Sequence, residues 1–401
     1  MMILEISKLA TVVRGSSPRP KGDTRYYGGS IPRLMVSDVT RDGMYVTPCI
    51  DSLTLEGAKK SRPMLKGDLI IAVSGDPGEP SILNVDACIH DGFVGLRNLD
   101  NTMVYTPYLY RFFKYFKEKN KSLAVGAIYK NLNTDQIKGL KIPLPPLPQQ
   151  KKIAAILDHA DQIRQLNKQI IKKYDQLTQS LFLDMFGDPV TNPMGWEVKK
   201  LEEVTTKIHS GNTPKGGSKV YVSHGIMFFR SQNVWRNRIE LEDIAHLDIS
   251  THNSMKKSSL KHRDILMTKT GRINTENSSL GRAAMYLGEN DKANVNGHVY
   301  LIRPNGVIIN EFILFILTTI QYRDYIRRVC VGGIDKRQIN KNHIEDFPIV
   351  NPPIVYQRNF VNRLQAIEAQ KAQAQASLQK SEELFNSLLQ RAFKVGGSSD
   401  E

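Results

Sequence analysis

The sequence contains an internal repeat that covers nearly the whole chain of 401 residues. The segment IPLPPLPQQ at 142–150 matches IVNPPIVYQ at 349–357, an offset of 357 − 150 = 207 residues. Nearer the start, LEISKLATV at 4–12 matches WEVKKLEEV at 196–204 after a small change of register. A chain that resembles itself at a fixed spacing uses one structural plan more than once. The sequence therefore predicts two similar halves.

Each half has a globular part and a helical part. Short β-rich runs, turn residues and one longer apolar stretch predict an α+β domain at 1–147 and another at 188–352. The segment 153–186, which lacks glycine and proline, and its counterpart from about 356 to 394 predict one long helix at 148–187 and a second at 353–394, and 395–401 is a short tail. Proline pairs stand directly before both helices, where proline ends a strand and favours the turn into a helix.

Both predicted helices place residues at alternating gaps of three and four, the spacing of a coiled-coil seam. Two matched helices in one chain most simply pair with each other. We expect an antiparallel coiled coil that relates the two domains by a pseudo-two-fold axis. The residues predicted to pair the helices are Ile156, Ile163, Ile170, Leu177 and Leu181 in the first helix, and Leu364, Ile367, Leu378 and Leu388 in the second.

The charge of the chain favours a polyanionic partner. It has 55 Lys and Arg against 40 Asp and Glu, a formal net charge of +15. Nucleic acid is the simplest partner, because each neutralised phosphate releases condensed counterions, although charge alone does not choose between DNA, RNA and a membrane surface. No apolar run approaches the roughly 20 residues of a membrane span, so we expect a cytoplasmic protein.

The tripeptide Asn351-Pro352-Pro353 is a possible base-flipping motif of a DNA adenine methyltransferase. The first half carries Leu144 at the position of Asn351, and an aliphatic residue follows the prolines in both halves. No Gly-x-Gly-x-x-Gly turn for a methyl donor is present. We therefore predict that the motif is a helix lead-in and that the chain has no catalytic residues, and methyltransferase activity is the less favoured alternative.

Metal binding is also not expected. The cysteines at 49, 88 and 330 are too far apart for a metal site or a disulfide framework, and the histidines do not follow a metal-ligand spacing. We expect the cysteines to be reduced thiols in the cores.

Polar residues at corresponding places in the two halves are the candidate DNA contacts. Arg, Asn and Gln can pair with base edges, whereas Lys and Ser more often hold phosphate. Each half contributes three groups: one after an early strand, one in the turn after a later strand and one before the final strand. The candidates are Arg33, Ser37, Asp38, Arg41, Ser74, Asp76, Lys130, Asn131 and Asn133 in the first half, and Arg230, Gln232, Asn233, Arg236, Lys269, Thr270, Arg272, Lys336, Arg337 and Asn340 in the second.

The repeated plan resembles the specificity subunit of type I restriction-modification enzymes. The resemblance covers nearly the whole chain. It rests on the IPLPPLPQQKKIAAILDHAD junction, on the LFLDMFGDPVTNPMGWEVKKLEEV passage into the second half, and on the matched turns at Gly67-Asp68 and Arg263-Asp264. Each of these motifs alone is only weakly diagnostic of the family. Their occurrence in the same order in both halves is much more specific.

The resemblance implies a non-catalytic DNA-binding subunit. Its two target recognition domains would read the halves of a bipartite site in double-stranded DNA, and its helices would dock two methyltransferase subunits. Restriction subunits would join them, and S-adenosylmethionine, ATP and Mg would belong to the partner subunits rather than to this chain. A type IIB-like system, whose partner combines cutting and methylation, is the nearest alternative.

Overall fold

The structure, a computed structural model, describes residues 2–123, 132–273, 275, 277–333 and 335–393. The chain folds into two units, each with its own cores. The first unit comprises Met1–Gln169 and Ala374–Glu401, and the second comprises Ile170–Gln373. The division falls within both long helices, so each unit contains part of each helix. The predicted tail at 395–401 lies outside the described residues.

The first unit is built on two sheets of mostly antiparallel strands, with strand orders β2-β10-β7-β8-β4 and β5-β3-β9-β6, and a two-stranded pair β1-β11. Its strands are β1 Met2–Glu5, β2 Thr11–Arg14, β3 Tyr27–Leu34, β4 Tyr45–Val46, β5 Asp51–Leu53, β6 Arg62–Met64, β7 Leu69–Ala72, β8 Pro80–Leu83, β9 Ala87–Ile89, β10 Phe93–Arg97 and β11 Lys141–Leu144. Its helices are α1 Val36–Asp42, α2 Leu55–Lys59, α3 Thr106–Leu123, α4 Thr134–Lys138 and the start of α5, Leu147–Phe186.

The second unit repeats this plan with sheets β13-β23-β19-β21 and β14-β18-β15-β22, the pairs β12-β26 and β16-β17, and a three-stranded sheet β20-β25-β24. Its strands are β12 Val198–Lys200, β13 Thr205–Ser210, β14 Tyr221–Val222, β15 Ile226–Phe229, β16 Val234–Trp235, β17 Arg238–Ile239, β18 Ala245–Leu247, β19 Ile265–Thr268, β20 Thr270–Gly271, β21 Ala283–Met285, β22 Ala293–Val295, β23 Val299–Pro304, β24 Val331–Gly333, β25 Lys336–Gln338 and β26 Pro348–Val350. Its helices are α6 Ile249–Ser254, α7 Asn310–Thr318, α8 Ile320–Val329, α9 Lys341–Glu345 and the start of α10, Ile354–Phe393.

The central strand of each unit is buried on both faces. In β7, Leu69 and Ile71 belong to one apolar core while Ile70 and Ala72 belong to another. In β19, Ile265 and Met267 face one core and Leu266 faces another. Successive side chains of a strand point to opposite faces, so a continuous apolar run buries both. The repeat seen in the sequence is therefore also a repeat of packing.

A buried glutamine anchors the start of each long helix to its own unit. Gln150 is fully buried; its Oε1 accepts from the backbone N–H of Tyr105 at 2.9 Å, and its Nε2 donates to the carbonyls of Met103 and Pro145 at 2.8 Å. Gln357 does the same in the second unit, accepting from the N–H of Ile309 at 3.0 Å. The prolines and the glutamine thus form one junction that joins a strand end to two helices.

The structure corrects the predicted pairing residues of the first helix. Ile156, Ile163, Ile170 and Leu177 are 41–52% exposed. The buried and half-buried residues of this stretch include 157, 160, 164, 167, 171, 174 and 178, so each of these four predicted residues is replaced on the inner face by the residue one position later. The sequence favoured the isoleucines as the most apolar set. On this inner face, the Arg164 guanidinium lies 4.4 Å from the centre of the buried Phe385 ring.

The other predicted pairing residues occupy less exposed positions. Leu181 and Leu364 pack against the main core of the second unit, and Leu388 packs against a core of the first. Ile367 and Leu378 are half-buried. Phe182 and Phe186, at the C-terminal end of α5, are fully buried in the second unit beside Phe360.

Two further expectations concern the cysteines and the membrane. Cys88 and Cys330 are buried free thiols as expected, but Cys49 is exposed, which corrects its placement in a core. Among the described residues, no helix has an apolar stretch sufficient to cross a bilayer.

We predict that Gln150→Ala lowers the free energy of unfolding by about 3 kcal/mol, because it leaves one buried carbonyl, and a part-buried N–H and carbonyl, without their partners. Gln149→Ala is the matched control, since Gln149 is exposed on the same helical turn. Thermal or denaturant melting of the full chain measures both variants. Equal stability of the two variants would contradict the anchoring role.

Candidate nucleic-acid interface

The second unit contains an open cleft of about 540 Å³ at one end of its sheets. Its lining includes Gln232, Thr270, Arg272 and Lys336. These residues come from all three groups of candidates predicted in the second half. Residues more than 100 positions apart in the sequence therefore meet at one surface.

A small sheet brings two of these groups together. Strand β20 pairs with β25, with Thr270 opposite Gln338 and Gly271 opposite Arg337. Strands β24 and β25 approach closely at Gly332, which lies opposite Arg337 with a φ of +113° and where a Cβ would lie 2.5 Å from the Lys336 carbonyl oxygen. Only glycine adopts this backbone easily. The hairpin thus sets Lys336 beside the 270–272 turn.

Trp235 and Arg282 form a stacked wall of the cleft. The Arg282 guanidinium lies 3.8 Å from the centre of the indole ring, and the Arg238 guanidinium lies 5.1 Å from it. Arg282 is 8% exposed and its Nε donates to the Ser278 carbonyl at 2.9 Å. Burial lowers the pKa of Arg282. Its Nη2 also donates to the Asn277 carbonyl, and within the described part of the chain no carboxylate forms an ion pair with it.

Sequence reasoning missed both residues of this wall. Trp235 lies inside the first candidate group, between Asn233 and Arg236, so its position was a usable signal. Arg282 is 47 positions away (282 − 235 = 47) in a segment without an evident match in the first half. Only the packing of the loop onto β16 brings it to the indole ring.

The remaining candidates of the second unit serve internal contacts or lie on the surface. Arg230 and Gln232 both bind Asp243, at 3.1 Å and 2.7 Å. Asn233 is buried, and its amide group donates to the carbonyls of Glu240 and Asp243. Elsewhere, Lys269 lies over the Tyr300 ring, Arg236 is exposed, Arg337 donates to the Cys330 carbonyl and Asn340 caps α9.

In the first unit, the early candidate group is largely engaged in the fold. Arg33 is buried and forms an ion pair with Asp51 at 2.5 Å. Asp38 is fully buried and accepts from Arg41 at 3.1 Å, while Ser37 is exposed. A buried charge usually has a partner. These ion pairs therefore give Arg33 and Asp38 a structural role.

The later groups of the first unit are more dispersed. Ser74 and Asp76 are exposed in the turn after β7, and Asp76 accepts from the buried Lys117. Asn133 caps α4, its side chain accepting from the Gln136 N–H at 2.8 Å. Lys130 and Asn131 lie outside the described residues.

The Asn-Pro-Pro tripeptide belongs to the second glutamine junction. The Asn351 amide donates to Glu197 at 2.7 Å, and its oxygen accepts from Gln357 at 3.2 Å. Lys199 and Asn351 together lower the pKa of Glu197. In the described residues, no group of His, Cys, Asp or Glu could hold a metal ion.

Comparison with known proteins identifies the repeated unit. The family model for the type I restriction modification DNA specificity domain matches residues 2–175 and again 193–382. The specificity subunit of the type I restriction enzyme StySPI from Salmonella potsdam is 22% identical over 97% of this chain and 87% of that protein. The EcoKI specificity subunit of Escherichia coli K12 is also 22% identical, over 98% of this chain and 88% of its own length.

Solved structures share the fold. One chain, from a study of complex assembly and conformational transition in the type I R-M system, superposes with a TM-score of 0.61 at 18% identity, covering 98% of this chain and 97% of that one. The type I S subunit from M. genitalium superposes with a TM-score of 0.50 at 15% identity, covering 99% and 96%. With 364 of 401 residues (174 + 190) inside the two matched segments, this chain belongs to the type I restriction-modification DNA specificity family and carries two copies of its domain.

Proposed function

We propose that this chain is the DNA-specificity subunit of a type I restriction-modification complex. Each of its two family domains binds one half of a bipartite site in double-stranded DNA, and the chain breaks or forms no bond itself. The observation that carries the proposal is the cleft of the second unit, where the candidate groups converge on an unpaired arginine and a tryptophan in a domain of the specificity family.

The cleft has the chemistry of base reading. Arg272 is exposed, and an arginine can donate two hydrogen bonds to the O6 and N7 of guanine. Gln232 would pair in the same two-point manner with adenine once its Nε2 releases Asp243, to which it donates at 2.7 Å. The neighbouring Lys336 is suited to a phosphate oxygen, which fixes the register of the duplex without reading its sequence. Together they would recognise part of one half-site.

The docking of partner subunits would use the long helices. The exposed apolar residues of α5 include Ile156 and Ile163 in the first unit, and large apolar side chains in water mark interaction surfaces. We propose that a methyltransferase subunit packs on this part of the helix and that two such subunits and the restriction subunits complete the assembly. S-adenosylmethionine, ATP and Mg would be held by those partners, in the cytoplasm.

We also propose that α5 and α10 pair as an antiparallel coiled coil with pseudo-two-fold symmetry. Contacts inside each unit support this. In the first unit, Lys168 lies 3.1 Å from Glu382 and Asn167 donates to Ser381 at 3.3 Å. In the second unit, Lys371 lies 2.6 Å from Asp175. In the first unit Arg164 contacts Phe385 whereas Lys168 contacts Glu382, and in the second unit Asp175 contacts Lys371 whereas Phe182 contacts Phe360, so residue numbers rise along one helix as they fall along the other.

We predict that Arg272→Ala, in the complex with methyltransferase subunits, relaxes selection at one base pair of one half-site. Loss of a two-point contact to guanine costs about 1–3 kcal/mol of discrimination. Methylation of a DNA library with randomised half-sites measures it. Arg328→Ala is the control, because it removes one positive charge from an exposed part of α8 that does not line the cleft. An unchanged motif in both variants would exclude Arg272 from base reading.

We predict that Asn351→Ala leaves methylation by the assembled complex within about twofold of wild type, a change of less than 1 kcal/mol in the barrier. The variant loses hydrogen bonds to Glu197 and Gln357, so its melting temperature should fall. Methyl transfer is measured on complex shown to be folded. A loss on the order of a hundredfold would show that the tripeptide takes part in the chemistry.

We predict that Ile163→Asp weakens binding of the methyltransferase subunit by at least about tenfold, because a carboxylate at a desolvated apolar contact costs more than about 1.4 kcal/mol. The chain should still fold, since Ile163 is 52% exposed. Gln165→Asp adds the same charge to another exposed position of α5. Co-purification and sedimentation distinguish the two. Equal assembly of both variants would place the docking surface elsewhere.

A further inference from the structure

Strand β13 carries a positively charged face at the edge of the main sheet of the second unit. It is the terminal strand in the order β13-β23-β19-β21. Ile208 packs against the apolar core on one face. Because side chains alternate along a strand, Lys207 and His209 share the opposite face, and both are half-buried.

Other cations surround this face. Lys207 is directly opposite Arg303 on the neighbouring strand β23, an arrangement of like charges that destabilises a sheet. A short 3-10 helix at Lys256–Ser258 and the helix α9 both pack beside β13. They bring the exposed Lys257 and Lys341 close enough for their charges to act on His209.

The nearby carboxylates do not neutralise this cluster. Asp264 is engaged by Arg303 at 2.7 Å and 2.8 Å, and Asp291 accepts from the Ser259 hydroxyl at 2.7 Å. Lys341 is paired with Glu345 at 2.5 Å. Lys207 and Lys257 have no ion-pair partner among the residues that the structure describes. Two unpaired ammonium groups beside an arginine form a site for an anion.

His209 adds an unused polar atom to the site. Its Nε2 is buried and has no hydrogen-bond partner in the described chain. A buried ring nitrogen without a partner is costly unless a ligand supplies one. Burial, and then the charges of Lys207, Lys257 and Lys341, lower the pKa of His209, so the neutral ring, which can donate one hydrogen bond, is the form expected near pH 7.

We propose that the edge of β13 binds the DNA backbone, with Lys207, Lys257 and His209 holding phosphate oxygens. None of the three lines the cleft, so the site is separate from the base-reading residues. It would position the duplex, whereas the cleft would select its sequence. The inference rests on the proposed function, because it assumes that this unit binds DNA.

The experiment compares Lys207→Gln/Lys257→Gln with wild type, both in complex with methyltransferase subunits. Binding to a specific duplex and to an unrelated duplex is measured over a range of salt concentrations. We expect the slope of log affinity against log salt to fall by about 2, since each lost phosphate contact removes about 1. Specific and unrelated DNA should lose affinity by the same factor, and the methylated motif should not change.

The control is Lys199→Gln/Lys200→Gln, which removes the same net charge from the same unit. Lys199 and Lys200 are paired with Glu197 and Asp346, at 2.8 Å and 2.6 Å, so the control should leave the slope near wild type. Lys207→Arg keeps the positive charge and should therefore keep the salt slope of wild type. Thermal melting of each variant shows whether a changed slope reflects a lost phosphate contact or a folding defect.

Two results would be decisive against a proposal. A wild-type complex without sequence-specific binding would overturn the proposed function. Specific binding by wild type, together with equal slopes for the test and control variants, would overturn the phosphate site alone. In that case, the role of Lys207 on this edge strand would be to prevent β13 from pairing with a strand of another chain.

Discussion

The buried glutamine at the start of each long helix is the contact on which the architecture of each unit depends. A fully buried amide is tolerated only when its donors and acceptor all find partners. Gln150 meets this condition through three backbone groups, drawn from the segment before α3 and from the proline turn before α5. The helix therefore cannot rotate or slide relative to its own unit without leaving several polar groups unpaired. The two prolines favour the turn into the helix, and the hydrogen bonds of the glutamine fix the start of the helix in that position.

The same junction explains why a catalytic motif occurs in a chain proposed to have no catalysis. Asn351, Pro352 and Pro353 stand where the first half has a leucine and two prolines, and the asparagine supplies an extra link between Gln357 and Glu197. Short motifs take their meaning from their surroundings. Here the Asn351 amide is already used by a neighbouring carboxylate, and the surrounding chain is a strand end running into a helix.

Much of this organisation can be predicted from the sequence, because it depends on patterns that are local or repeated: the matched proline junctions reveal the two halves, and the apolar runs locate β7 and β19. The place of Arg164 on the inner face of α5, in preference to Ile163, could not be predicted in this way, because the guanidinium packs on the Phe385 ring of the other long helix. Nor does a net charge of +15 tell which cations are available to nucleic acid. Arg33 and Arg41 resemble DNA contacts by residue type, yet the fold pairs each with an aspartate. Both features depend on partners that are distant in the sequence or set by the fold, which a local pattern does not contain.

The unpaired cations give the second unit a particular energetic character. Arg272 and Lys336 in the cleft, Lys207 on β13 and Lys257 beside that strand form no ion pair in the described part of the chain, and burial, followed by repulsion from Arg303, lowers the pKa of Lys207. Such repulsion opposes folding of the free protein. When an anion bridges the same groups, their net electrostatic interaction becomes favourable. A ligand that binds only the folded state also stabilises that state by mass action. Bound duplex DNA would therefore also stabilise the folded second unit. Its phosphates would supply the negative charge that these cations lack, because the carboxylates of the unit pair with other groups.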